Sequence, residues 1–291
     1  MTDVFTRKTE KKGDELLCYT GGDMRRAKAD DFGVKNNVVL IHGFTANSVY
    51  MSAIAETLNN HDFQTFVFNY HSYRGIKAAA DNLNAIIESF NEIKKDCIQE
   101  KSLCLVAHSM GGLVARALCQ LTGSSKYVSK IVTLGTPHDG TLYDTEVIGH
   151  LIHWGESISS KMKGFTPNAN SAKELTKKDN INGQCLIDKL QSDSDSLKDI
   201  KIFSVSGGKK WLEFGNFFKS YIANWKIQKW FEDKPNDGLV LEYSSNIKNS
   251  TPNADNNHHH FNNYTEYEDI NHSYLIDNHQ ILLKLTAWLK E

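Results

Sequence analysis

The stretch Ser102–Arg116, SLCLVAHSMGGLVAR, constrains this chain more than any other. An apolar run ending at Ala107 reads as a buried strand. A helical pattern with Leu113, Ala117 and Leu121 on one face begins just past Ser109. The chain must therefore reverse within very few residues, with Ser109 at the apex. Ala107 and Gly111, at i−2 and i+2, carry almost no side chain, and a larger Cβ would clash across so tight a turn. Such a turn presents a hydroxyl at the sheet end, beside a helix N-terminus that favours negative charge. The segment nominates Ser109 as a nucleophile and the Met110 N–H as one half of an anion-stabilising site. A serine acting only as a helix N-cap is the ordinary alternative.

The flanking sequence repeats the strand–helix rhythm. Val38–Ile41, Thr65–Phe68, Leu103–Val106, Val128–Leu134 and Ile200–Val205 read as strands. Ser48–Asn59, Ile76–Ile98, Gly111–Leu121 and Leu275–Leu289 read as helices, the last with Ile276, Leu282, Leu283 and Leu285 inward. A strand also falls near His259–Tyr267. The first residues suggest a hairpin of Val4–Lys11 with Glu15–Tyr19, turned at Gly13-Asp14. Continuous apolar strands alternating with helices predict an α/β fold: a mostly parallel, doubly wound sheet with helices on both faces. The rhythm breaks at about 141–197 and at 207–236, and both breaks read as insertions above the sheet.

At 291 residues the chain has enough length for one α/β domain, 1–291, carrying these insertions. A formal net charge of −2 gives no electrostatic footprint for nucleic acid. No apolar run is long enough to span a bilayer, and the start lacks the apolar core of a secretory signal. Cys18, Cys97, Cys104, Cys119 and Cys185 are odd in number and irregular in spacing. They read as reduced thiols, so the expected location is cytoplasmic.

Three further segments give the reading a family. Ala107-His108-Ser109-Met110-Gly111-Gly112 resembles the nucleophile elbow of bacterial lipases and esterases with the α/β-hydrolase fold. Ile41-His42-Gly43-Phe44-Thr45 resembles the lipase segment whose residue after glycine donates its N–H to an oxyanion. Val132–Thr141, with Gly135-Thr136-Pro137-His138, resembles a structural segment of the same enzymes. The resemblance runs from about Val38 to the C-terminus and is strongest between 38 and 141. It implies an α/β-hydrolase with cap insertions and a triad in the order Ser, acid, His. Asn236-Asp237-Gly238-Leu239-Val240 is similar to the segment carrying the acid, which nominates Asp237. Asp269–Leu275 lies where the fold delivers its histidine, which nominates His272. The cluster His258-His259-His260 and His279 are competitors, the former in an Asn-rich stretch and the latter inside the predicted helix. The implied oxyanion donors are Phe44 and Met110. No cofactor is required. A calcium site sometimes adjoins such an acid loop, but its other ligands have no match here, so no metal is expected.

Eight aromatic residues fall between Trp211 and Phe231, far more than an even share. Trp211, Phe214, Phe218 and Trp225 are the candidate substrate contacts. They form either an acyl-binding wall or lid that meets a lipid surface, or a helix packed on the rest of the cap. The implied activity is hydrolysis of carboxylic esters with apolar acyl chains. A phospholipase effector, an acyl thioesterase or acyltransferase, and a non-catalytic hydrophobic-ligand or protein-binding relative remain alternatives.

Overall fold

The computed structural model describes residues 13–33, 36–141, 170–176, 185–213, 217–232, 234–250 and 263–291. Eight strands form one sheet in the order β2-β1-β4-β3-β5-β6-β7-β8. They are β1 (Glu15–Thr20), β2 (Asp23–Arg26), β3 (Asn37–Ile41), β4 (Gln64–Asn69), β5 (Leu103–His108), β6 (Val128–Leu134), β7 (Lys201–Gly207) and β8 (Asn263–Tyr267). The six from β3 to β8 are parallel, and β1 runs antiparallel to both β2 and β4.

The helices are α1 (Ser52–Asn59), α2 (Ile76–Ile93), α3 (Gly111–Leu121), α4 (Asn170–Glu174), α5 (Leu186–Ser192), α6 (Phe217–Phe231), α7 (Glu242–Ser245) and α8 (His279–Lys290). The strand residues alternate between two cores. Val38, Leu40 and Val106 pack with Ile54 and Leu58 of α1 and Leu285 and Trp288 of α8. Val39, Ile41 and Leu105 pack with Leu83 and Ile87 of α2 and Leu113 and Leu118 of α3. Burial on both faces is why the strands read as unbroken apolar runs. Each fully buried Leu or Ile contributes about 1.5–3 kcal/mol.

Four expectations shift. The hairpin partner of β1 is Asp23–Arg26, because Gly21 and Gly22 both take positive φ and turn the chain at once, and the other edge of β1 pairs with β4. The segment Val4–Lys11 lies outside the described residues. The helix begun at Ile76 stops at Ile93 rather than Ile98. Asn91 bonds both the N–H and the carbonyl of Ile98 with its amide, at 2.8 and 3.1 Å, and holds the chain off the helical path. The final helix starts at His279, where Asn278 accepts from the N–H groups of Gln280 and Ile281. That start leaves Leu283 half exposed, while Ile276, Leu282 and Leu285 are buried as expected.

The described parts of the first insertion are tied to the core by polar groups. Arg116 of α3 is fully buried and donates to the Leu190 carbonyl at 2.6 Å, the His138 carbonyl at 3.4 Å and Gln120 at 3.0 Å. Glu174 accepts from the N–H groups of Ile76 and Lys77 at the start of α2. All five cysteines are buried and unpaired. Among the described residues, no helix is long and apolar enough to cross a membrane.

Candidate active site

The sheet order places the site. The chain passes from β3 outward to β4, then returns to β5 on the other side of β3. The carboxyl ends of β3 and β5 thus flank a topological switch point, where open α/β sheets leave a crevice. Ser109 follows β5 and Phe44 follows β3.

Ser109 has φ 55°, a left-handed conformation that side-chain-bearing residues rarely adopt. The surroundings impose it. Ser109 N–H donates to the Leu134 carbonyl at 2.8 Å, and its own carbonyl accepts from the Thr136 hydroxyl at 2.9 Å and from Gly112 N–H at 3.0 Å. The need for glycine is quantitative. A Cβ on Gly111 would lie 2.4 Å from the Ile41 carbonyl oxygen, and one on Gly112 would lie 2.1 Å from the Thr136 hydroxyl. Strain held by such over-determined surroundings is typical of functional positions.

Asp237 follows the second insertion and is completely buried. Its Oδ1 accepts from the N–H groups of Leu239 at 3.0 Å and Val240 at 2.8 Å. Gly238, at φ 100°, makes that turn. Oδ2 accepts from His272 Nδ1 at 2.7 Å, with both side chains almost wholly out of solvent. The acceptor fixes the histidine tautomer: Nδ1 carries the proton and Nε2 is left basic. The His272 backbone N–H also donates to the Asp237 carbonyl at 2.9 Å. Asn271 caps the turn His272–Ile276 and reaches the Trp211 carbonyl at 2.8 Å.

Gly135 lies under the Asp237–His272 pair and directly follows the residue that binds the Ser109 backbone. Leu134 receives the Ser109 N–H, and a Cβ on Gly135 would lie 2.8 Å from His272 Nδ1 and 3.0 Å from Asp237 Oδ2. Among the described residues the Ser109 hydroxyl makes no hydrogen bond. Catalytic hydrogen bonds commonly tighten only when substrate binds. Gly135 therefore sets the floor under the Asp237–His272 pair. Gly135→Ala is expected to displace that pair and to lose activity. It should also lose about 1–2 kcal/mol from its left-handed backbone, at φ 60°, before the clash is counted. A melting curve and kcat on the same protein check both effects.

The turns carrying Phe44 and Met110 are equally constrained. Neither the Phe44 N–H nor the Met110 N–H has an acceptor among the described residues. Gly43 lies directly against Ser109, since its Cβ would fall 2.8 Å from Ser109 Cβ. His42 is fully buried, with Nδ1 2.9 Å from the Gly43 carbonyl and its ring stacked on Tyr70. Burial pulls its pKa down to about 4, so it is neutral at physiological pH. The N-terminus of α3 adds its positive end to the Met110 donor.

The sequence matches the family model described as alpha/beta hydrolase fold over residues 36–164. The chain is also similar to the mature form of a lipase from Bacillus licheniformis, at a TM-score of 0.65 and 17% identity, covering 94% of this chain and 97% of that one. The fold is that of an α/β hydrolase. A lipase-esterase related protein from Clostridium acetobutylicum gives a TM-score of 0.52 at 16% identity, with 96% and 99% of the two chains covered. A phospholipase from Legionella pneumophila gives 0.52 at 16% identity, covering 72% of this chain and 45% of that one. No curated protein sequence matches the chain.

In this hydrolase fold the second insertion is built around α6. Asn224 is buried and clamps Leu212 from both sides, accepting from its N–H at 2.8 Å and donating to its carbonyl at 2.7 Å. Gln228 pairs with the side chain of Asn236, beside Asp237, in two bonds of 3.2 and 3.0 Å. Ile227 and Phe231 complete this buried face. Tyr221, Trp225 and Lys229 lie on the outer face. Trp225 is 57% exposed, with the Lys229 ammonium 5.6 Å above its ring. Trp211 is half-buried, its ring 6.5 Å from that of Tyr221. Phe214 and His258–His260 lie outside the described residues, as does the side chain of Phe218. His279 is exposed at the start of α8. Among the described residues no group of three or more His, Cys, Asp or Glu side chains could hold a metal.

The sequence marks Gly135 and Thr136 only as part of a structural segment, and gives no sign that the His42 ring bonds the Gly43 carbonyl or that Asn271 caps the turn His272–Ile276. The motif Gly135-Thr136-Pro137-His138 was visible, but which neighbour it served depends on contacts distant in sequence.

Proposed function

We propose that this α/β hydrolase cleaves carboxylic esters with apolar acyl chains through Ser109, His272 and Asp237. The observation that carries this reading is the buried Asp237–His272 pair, bonded through His108 to the turn that holds Ser109 at positive φ. His272 Nε2 takes the Ser109 proton as the hydroxyl oxygen attacks the acyl carbonyl. Asp237 holds the ring and stabilises the imidazolium. The N–H groups of Phe44 and Met110 receive the developing oxyanion. The imidazolium then protonates the leaving alcohol, and water, activated by the same histidine, releases the acid.

A fluorophosphonate probe tests the chemistry without knowledge of the substrate. It should label Ser109 alone, and labelling elsewhere or none at all would overturn the reading. p-Nitrophenyl esters of graded length, beside a phospholipid panel, then define the acyl and headgroup preference.

The outward stripe of Tyr221, Trp225 and Lys229 supports contact with a lipid surface rather than with the acyl chain. Aromatic rings and a cation on one exposed helix face suit the bilayer interface. Trp225→Ala is expected to slow hydrolysis of emulsified long-chain esters more than that of dissolved acetate esters. An equal loss on both, with a lower melting temperature, would make this face scaffold.

A further inference from the structure

We propose that His108 is a positioning residue for the base, locking the backbone of His272 to the nucleophile turn. The inference rests on the reading of Ser109, Asp237 and His272 as one catalytic set.

His108 ends β5 directly before Ser109, and its ring is buried. Its Nε2 lies 3.0 Å from the carbonyl oxygen of His272. A carbonyl only accepts, so Nε2 bears the proton and the neutral ring leaves Nδ1 bare. Nδ1 is buried without a partner among the described residues. Protonating it would bury a second N–H with no acceptor. It would also set a cation beside the His272 ring, whose centre is 4.7 Å away. Burial, and then the proximity of His272, hold the pKa of His108 well below the ordinary histidine value. The groups facing it are His272, His42 and the Tyr50 ring at 5.4 Å. It is thus a fixed neutral donor, unsuited to act as a second base.

What this donor secures follows from the other restraints on His272. The ring and the backbone N–H of His272 are both bonded to Asp237. These two bonds make acid and base one unit, yet say nothing about where that unit sits relative to Ser109. Among the described residues, the His108 bond is the one hydrogen bond joining the nucleophile turn to the histidine loop. Packing over Gly135 limits how close the pair can come, and the His108 bond limits how far it can retreat. The residue beside the nucleophile therefore sets the Ser–His distance while touching neither substrate nor reacting atoms.

The test compares His108→Leu, which fills the space without a donor, with His108→Gln, whose amide N–H can reach the same carbonyl. Three quantities are read: the rate of Ser109 phosphonylation by a small fluorophosphonate, kcat and KM on a dissolved ester, and the far-downfield proton resonance of the His272–Asp237 bond. His108→Leu is expected to lower the labelling rate and kcat by about tenfold to a hundredfold, as a displacement near 1 Å does, with KM little changed. His108→Gln should recover most of that loss, and the downfield resonance should persist in both. Wild-type labelling in His108→Leu would overturn the proposal. So would equal impairment of the two variants at equal melting temperature. If His108→Leu does not fold, His108→Met replaces it as the donor-free variant. Failure of the wild type to label at Ser109 would instead overturn the catalytic reading itself, which keeps the two failures apart.

Discussion

Ser109→Ala should abolish ester hydrolysis, with kcat falling by about a million-fold, while the fold survives. The hydroxyl makes no hydrogen bond among the described residues, so its removal leaves no buried group unsatisfied. The melting temperature should therefore stay close to wild type. Ser109→Gly offers a sharper comparison. Glycine adopts φ 55° without the strain a Cβ brings, so this variant should be inactive yet more stable than wild type by about 1 kcal/mol. Paired assays of kcat and urea unfolding check both. Substantial activity in either variant would remove Ser109 from the mechanism. A glycine variant no more stable than the alanine one would remove the argument that the turn stores strain.

His272→Ala is the second large expected effect, and it reaches stability as well as rate. Without the imidazole no base accepts the Ser109 proton, so activity should fall nearly as far as in Ser109→Ala. The fully buried Asp237 carboxylate would also lose the ring that pairs with Oδ2, while Oδ1 keeps its two backbone donors. A buried acceptor stripped of a charge-assisted bond costs stability, so the melting temperature should drop. Asp237→Asn should be gentler on the fold and less damaging to rate, with kcat falling by about ten-thousandfold. Its amide presents an N–H to Nδ1 and forces the wrong histidine tautomer. If replacing His258, His259 and His260 together stops hydrolysis while His272→Ala does not, the base is one of those three.

The parts of this molecule legible in sequence are those governed by local repetition. Strands buried on both faces must be continuously apolar, so β3 to β7 stand out with no knowledge of their neighbours. The turn at Ser109 is legible because its tightness excludes side chains at fixed offsets: a Cβ on Gly111 would lie 2.4 Å from the Ile41 carbonyl oxygen of β3. Asp237 and His272 are each nominated by a short motif, and the structure brings the two side chains together.

What only the tertiary structure decided is everything that depends on groups far apart in sequence. Which histidine meets which carboxylate is a contact across 35 residues. Gly135 packs under that pair and His108 bonds the His272 carbonyl; both lie in recognisable segments, but no local pattern says which distant neighbour each one meets. The aromatic helix α6 showed the same limit. Its composition announced an apolar element, yet Asn224 and Gln228 turned one face toward the acid loop and left Trp225 outward. Periodicity tells which residues share a face. Only the partners on that face, brought by the rest of the chain, decide whether it looks inward or toward solvent.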